Sequence, residues 1–344
     1  MLLLGPFLPG LPYRRGTLAD GLRALRRRIF TPDPSNTKLD VRGFHVKNQA
    51  SRELLETVGE SFLSGMSFAL EARTVEAAEE RLEQLPAAFR GFAYEGAGMG
   101  FAILDALPFG GNDRVPRFLA GRGGDHVYMV YVGVGWAMAR LPRFRWSALR
   151  ADDPLLRWLA LDGYGFHQAY FHTDRYVYQH HVDTKMNWPA EAPAEYRNQI
   201  VDQGIGRAMW FVAGTDPERV ADLIDAFPDH RHADLYSGAA LAATYAGGSD
   251  AEELRAFWRR SGQHQSLVSQ ASAFAAEARV RAGLVTPHTG VATQVLCGTT
   301  PQHAAQITQD LRPTQPDAAD PFMYQAWRYR IADEFATLRK GAPA

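Results

Sequence analysis

The side chains that could do chemistry in this chain are ionisable groups set inside otherwise apolar stretches. Glu95 lies in residues 91–107, which are small or apolar apart from Tyr94 and Asp105. Asp162 and His167 lie in residues 159–171, and His126 opens the apolar run that ends at Trp136. His264 and His288 stand in the C-terminal half. A carboxylate buried alone is unfavourable unless it is paired, protonated or metal-bound. Gathered in one cavity, imidazoles and carboxylates could hold a metal or supply a general acid and base. The same groups could instead cap helices or bond to one another, giving specificity without chemistry. Gly163, His167 and Tyr170 follow helical spacing and share a face, with Phe166 and Phe171 beside it. With Tyr128, Tyr131, Trp136 and Trp210 they would line an aromatic pocket for a long apolar substrate, or form ordinary aromatic core. His172, His180 and His181 have no familiar ligand spacing; they precede residues 185–189, read as a loop over the pocket. Cys297 reads as a small buried residue.

Standard signatures are missing. There is no dinucleotide fingerprint, phosphate loop or zinc cysteine pair, no Gly-x-Ser-x-Gly, and no Asp-Asp-x-x-Asp run for magnesium and diphosphate. No nucleotide or flavin cofactor is therefore expected; a metal held by His and carboxylate residues is the one that the residue types allow. The formal net charge of -1 gives no global field for nucleic acid. No window offers a long uninterrupted apolar run, so no membrane span is expected. A lone cysteine fits a reducing cytoplasm.

These residues need elements to position them, and the periodicity is helical. Leu54, Leu55, Val58, Phe62, Leu63, Met66 and Leu70 fall mostly on one face. Thr74 can cap the next helix, and Pro217 follows Thr215 and Asp216 at a later helix start. Near the N-terminus, residues 1–12 form an apolar arm expected to pack on the body or a partner. Residues 17–30 read as a short basic helix that Thr17 can cap, a solvated helix end in preference to a nucleic-acid or lipid contact, and residues 31–40 read as a linker.

An internal repeat organises the rest. A shift of 142 residues carries Pro86 onto Pro228, Tyr94 onto Tyr236 and Gly96 onto Gly238. A shift of 138 carries Arg122 onto Arg260, His126 onto His264 and Trp136 onto Phe274. A weaker match, at 126, carries residues 162–171 onto 288–297. The run from His126 to Trp136 is β-branched and aromatic and by itself resembles a strand. Its partner, His264 to Arg279, is rich in alanine, serine and glutamine, which assigns both to helix. Gly133 and Gly135 would then let another helix approach closely. The expected fold is all-α: two tandem related helical modules packed about an approximate two-fold axis. Residues 1–45 form the arm and basic helix, 46–186 the first module and 187–344 the second. Matched positions near the axis would bring Glu95, His126, Asp162, His167, His264 and His288 to one cavity.

The stretches Arg90–Met99, His126–Trp136, Asp162–His167, Asp202–Arg207, Ser237–Leu241 and Tyr245–Gly248 resemble the bacterial domain-of-unknown-function family numbered 1702, also called UnbL-like. The resemblance covers residues 40 to 335. It implies a cytoplasmic role in natural-product biosynthesis, in enediyne and other secondary-metabolite gene clusters. It supplies no activity, cofactor or catalytic residue.

The leading expectation is an accessory biosynthetic enzyme acting on a hydrophobic polyene or related polyketide intermediate, with other biosynthetic enzymes as further partners. One rival is a non-enzymatic protein that sequesters a reactive intermediate. Another is an acid–base isoprenoid cyclase without a metal–diphosphate motif. An ionisable cluster at the pocket floor favours an enzyme; a purely apolar pocket favours a carrier.

Overall fold

The computed structural model describes residues 18–341 apart from 109, 110, 112, 318 and 319. Among them there is no strand. The first half holds α1 (Leu18–Phe30), α2 (Leu39–Arg42), α3 (Gln49–Glu71), α4 (Val75–Leu82), α5 (Ala87–Ala106), α6 (Arg114–Ala120), α7 (Val127–Arg140) and α8 (Trp158–Phe171). The second holds α9 (Ala194–Val212), α10 (Pro217–Asp225), α11 (Asp229–Ala246), α12 (Ala251–Arg260), α13 (Gln265–Arg281), α14 (Pro287–Leu296), α15 (Pro301–Asp310) and α16 (Met323–Gly341). The strand-like run is thus helix α7, as its alanine-rich counterpart implied. The apolar arm of residues 1–12 and the Thr17 cap lie outside the described residues.

Local chemistry explains where the helices begin. Asn48 and Thr74 accept from the backbone amides of Ser51 and Ala77, and Asp216 caps α10 with Pro217 at its first position. Asp250 and Glu253 form a reciprocal capping box on α12. Among the described residues, no helix is long and apolar enough to cross a membrane.

The long helices pack side by side in the order α3, α5, α7, α8, α9, α11, α13, and then α15 and α16. What allows this row is a Gly-x-Gly pair in the middle of successive helices: 96 and 98, 133 and 135, 163 and 165, 204 and 206. Residues two apart on a helix point in nearly opposite directions, about 200° around the axis. One glycine therefore faces the preceding helix and the other the following one. A Cβ on Gly133 would overlap the Glu95 carbonyl oxygen of α5, and one on Gly135 the Ala160 carbonyl oxygen of α8. In α11 the pair becomes Gly238 and Ala240, and in α13 Ala271 and Ala273.

The same register decides which residues face inward. The residue before the first glycine, and those three and seven after it, fall along one side of each helix. That strip carries Glu95 and Met99 on α5, Trp136 and Arg140 on α7, and Asp162, Phe166 and Tyr170 on α8. It continues with Gln203, Arg207 and Phe211 on α9, and Ser237, Leu241 and Tyr245 on α11. The row curves until the ends of the strip meet. Phe92 on α5 stands 5.1 Å, centroid to centroid, from Tyr245 on α11. The Tyr128 hydroxyl on α7 donates to Glu277 on α13 at 3.5 Å.

The two halves repeat a local arrangement away from this strip. Tyr94 stacks on His126 at 3.7 Å and donates its hydroxyl to Glu83 at 2.7 Å. At the shifted positions, Tyr236 stacks on His264 at 5.9 Å and donates to Asp225 at 2.8 Å. The weaker match at 126 residues does not correspond to shared surroundings. It pairs α8 with α14, yet α8 packs between α7 and α9, whereas α14 packs on α11, α12 and α13; by its neighbours α15 is closer to an α8 counterpart. Residues 31–40 are not a free linker either. They form a short 3-10 turn (Pro34–Thr37) and the start of α2, with Thr37 and Leu39 buried.

Candidate functional site

The inner strip, together with α3, encloses a slot between α3, α5, α7, α8, α9 and α11. Its cavity volume is only about 80 Å³, so it is narrow. Most of its wall is aromatic or aliphatic. Trp136 lies 4.4 Å from Phe62 and 5.2 Å from Phe166, and Phe166 is stacked at 5.9 Å on Tyr170. Pro32, Asn36 and Thr37, from the segment read as a linker, line the slot as well, and Arg42 donates to the Tyr170 carbonyl oxygen beside them.

One charged cluster faces this apolar wall. Glu95 is 3% exposed, and its Oε1 lies 3.9 Å from Arg207 Nη2. Arg207 Nη1 donates to Asp162 Oδ1, and the guanidinium lies 5.0 Å from the Phe166 ring centroid. Burial pushes Glu95 up to about 7, against the pull of Arg207 and with the negative charge of Asp162 adding to the rise. Burial also raises Asp162, while Arg207 opposes it. Two carboxyls therefore share one cation in a dry site, and near neutrality one of them readily keeps its proton. Asp162 Oδ2, His167 Nδ1 and the Tyr245 hydroxyl are buried without a protein hydrogen-bond partner. Such atoms carry a desolvation penalty that a polar group of a ligand could relieve.

The candidate residues divide between the slot and the rest of the molecule. Glu95, His167, Trp136, Phe166, Tyr170 and Phe171 line it. Asp162 and Tyr128 line a small adjoining void that also touches Arg207. His167 is held neutral, pushed down to about 3 by burial and by Arg140, His172 and Arg42. His126, His264 and His288 do not line the slot. His126 and His264 occupy equivalent places, each against the tyrosine of its own half, so equivalence here does not mean convergence. His288 donates through Nε2 to the Ala243 carbonyl oxygen at 2.7 Å. Tyr131 accepts from the Asp153 amide at 2.9 Å, and the Trp210 indole donates to the Gly247 carbonyl oxygen at 2.9 Å; both belong to the core. His172, His181 and Lys185 line a different surface hollow beside Trp146, not a cover of the slot. Cys297 is buried, with its thiol against the Ser269 carbonyl oxygen. Among the described residues no group of three or more His, Cys, Asp or Glu is placed to hold a metal. Glu95 and Asp162 instead face the cation that the chain itself provides.

With this geometry in view, one comparison is decisive: the model of the family described as protein of unknown function (DUF1702) matches residues 21–335, nearly the whole chain. The chain belongs to that family. No curated protein and no solved structure matches it. In this chain, five of the stretches that carried the resemblance hold the small-residue pairs at the centres of α5, α7, α8, α9 and α11, and the sixth, Tyr245–Gly248, ends α11.

Arg207, the cation of the site, was visible in the sequence only as the end of the Asp202–Arg207 stretch. Its signal is the register: it is the third residue after Gly204, as Trp136 is after Gly133 and Phe166 after Gly163. The same rule finds Met99 and Leu241, which also line the slot.

Proposed function

We propose that this chain is an accessory enzyme of bacterial natural-product biosynthesis that binds a hydrophobic polyene or related polyketide intermediate in the slot and moves a proton with Glu95. The observation that carries the reading is a carboxyl group with its pKa near 7 inside an aromatic-walled cavity. A general acid works best when its pKa lies near the operating pH. The protonated carboxyl can deliver its proton to an alkene carbon, forming a C–H bond and leaving a carboxylate and a cation on the adjacent carbon. The faces of Trp136, Phe166 and Tyr170 suit such a cation. Return of a proton from a neighbouring carbon to Glu95 restores the acid. The net change is an isomerisation or ring closure that needs no oxidant. Arg207 holds the carboxylate form in place, and the narrow apolar wall excludes water from the cation.

The proposal extends to a place in enediyne and other secondary-metabolite clusters, in the cytoplasm, beside other biosynthetic enzymes, which is what the resemblance implies. The test is to incubate the purified protein with extracts of the cognate gene cluster and follow bound and converted compounds by mass spectrometry. Conversion that is lost in Glu95→Gln supports the reading. Stoichiometric binding without conversion, the same in both proteins, would overturn it in favour of sequestration.

A further inference from the structure

The slot is shut in by its own walls. Glu95, Phe166, His167 and Tyr245, which line it, are each less than a tenth exposed. Its volume of about 80 Å³ is well below the ~300 Å³ at which ligand pockets usually begin. A ligand therefore enters only when part of the wall moves.

The wall is of two kinds. Most of the lining residues belong to α3, α5, α7, α8, α9 and α11. These helices cross with backbone against backbone. A Cβ on Gly96 would overlap the Phe62 carbonyl oxygen, and one on Gly163 the Val132 carbonyl oxygen. Packing this close resists a small sideways shift of any one helix. The other lining residues, Pro32, Asn36 and Thr37, come from the strap that joins α1 to α2.

The strap is tied within itself. Asp33 Oδ1 accepts from the Ser35 amide at 2.8 Å, and the Thr37 hydroxyl donates to the Pro34 carbonyl oxygen at 2.8 Å. Its ties to the body are at the edges. Arg140 donates to the Phe30 carbonyl oxygen at 3.0 Å, and the Tyr170 hydroxyl to the Asn36 carbonyl oxygen at 3.4 Å. Lys38, half-exposed, pairs with Glu56 at 2.9 Å and Glu60 at 2.7 Å. Thr37 is the buried side chain of residues 31–38, and it sits on Gly59 of α3. A Cβ on Gly59 would lie 2.9 Å from Thr37 Cβ and 3.0 Å from Thr37 Cγ2. A segment bonded mainly within itself can open locally while the packed helices stay in place.

We propose that residues 31–38 are the gate of the slot: the strap lifts from α3, Thr37 leaves Gly59, and an apolar chain passes between Gly59 and Tyr170 to the Glu95 cluster. The bare backbone at Gly59 is the seat that lets the gate close. This inference concerns access to the slot, and it holds whether Glu95 moves a proton or the protein only sequesters its ligand.

The test reads access directly. Met99→Cys places a thiol in the slot wall. Cys297, buried outside the slot, reports unfolding of the whole chain in the same molecule. Methyl methanethiosulfonate transfers a methylthio group to each thiolate as it becomes accessible and releases methanesulfinate; mass spectrometry of peptides separates the two sites. When opening is fast relative to labelling, the rate follows the population of the open form. On this background Gly59→Ala acts as a wedge, since the nearest atoms its Cβ meets all belong to Thr37. Labelling at position 99 should quicken by about ten-fold or more, with Cys297 unchanged. Lys38→Met, which removes an exposed latch, should quicken it by roughly two- to five-fold. Acceleration in Gly59→Ala alone would still support the gate and make Thr37 its latch. Unchanged labelling at position 99 in both variants would overturn the proposal. So would equal acceleration at position 99 and at Cys297, because the slot would then open only by unfolding.

Discussion

Two buried arginines face the inner strip of the helix row, and they are handled differently. Arg328, on α16, uses Nη1, Nη2 and Nε on Asp234 at 3.0 Å, Ser237 at 3.1 Å and Gln270 at 3.3 Å. Ser237 and Gln270 precede the small pairs of α11 and α13, so α16 covers the strip of the second half. Arg207, on α9, bonds to Asp162 and lies 3.9 Å from Glu95, and beside it a slot stands where a covering helix would be. The polar atoms left without partners near Arg328 belong to neutral groups, Gln203, Gln270 and Tyr324; near Arg207 they include a carboxylate oxygen of Asp162. The same register thus builds a closed polar core at one place along the strip and an open acidic one at another. A buried network with every charge matched serves packing, whereas a shared cation and a carboxyl near neutrality leave a proton available.

The largest expected effect comes from breaking the closed side. Arg328→Met leaves Asp234 buried without its cation, which should cost roughly 3–5 kcal/mol of stability, read from urea unfolding. Glu95 should keep most of its titration, because Arg328 reaches it only through Asp162. A loss below about 1 kcal/mol would mean that Asp234 simply takes up a proton, and the contrast between the two arginines would weaken.

Breaking the open side should act on chemistry rather than on folding. Glu95→Gln keeps the shape and removes the proton donor, so conversion should fall by about 100-fold or more. The unfolding midpoint should hold or rise, since the ionised carboxylate is the unfavourable form in this site. Conversion that survives Glu95→Gln would make the cluster a packing device like its counterpart.

Much of the architecture was legible because helical periodicity, caps and repeats are local. Thr74 and Pro217 marked helix starts, and the alanine-rich partner of residues 126–136 decided helix against strand. The site was half legible. A carboxylate in an apolar helix such as Glu95 must find a partner, and it did. Which partner depends on how α9 crosses α5 and α8, a tertiary fact that only the Gly-x-Gly register hints at. His167 lies in the slot, whereas His126 and His264 lie outside it for a physical reason: each stacks on the tyrosine of its own half, a packing arrangement that repeats without any need to meet its copy. Residues 31–40 read as linker from composition alone, and only contact with Tyr170 and the slot gives them a place.

The row itself can be tested at its crossings. Gly204→Ala puts a Cβ against the Asp162 carbonyl oxygen of α8, and backbone cannot yield as a side chain can. It should destabilise by about 1–3 kcal/mol and also lower conversion, because this crossing sets the distance from Arg207 to Asp162. Gly290, in α14, has nothing within 4 Å of a built Cβ. Gly290→Ala should stabilise by about 0.5–1 kcal/mol through helix propensity. If both substitutions behaved alike under thermal unfolding, the close crossings would not be what holds the row.

The effect most specific to the open side is a pH dependence. Glu95 has its folded pKa raised to about 7 from 4.5, so between those values the folded state binds more protons than the unfolded state. Stability from this group is therefore fully present below 4.5 and is lost as pH rises toward 7. His126 and His167, pushed down to about 3 from 6.5, have the opposite sign: their contribution is present above 6.5 and lost as pH falls toward 3. The two trends overlap and partly cancel in the intact protein, so its own stability profile is a poor probe. The difference between Glu95→Gln and the unmodified protein cancels the histidines. That difference should be flat below 4.5, rise in favour of Glu95→Gln up to about 7, and flatten above it. Chemical unfolding at half-unit pH steps would trace it. A difference that stays flat from 4.5 to 7 would put Glu95 at an ordinary carboxyl pKa, and the slot would then hold a carboxylate instead of an acid.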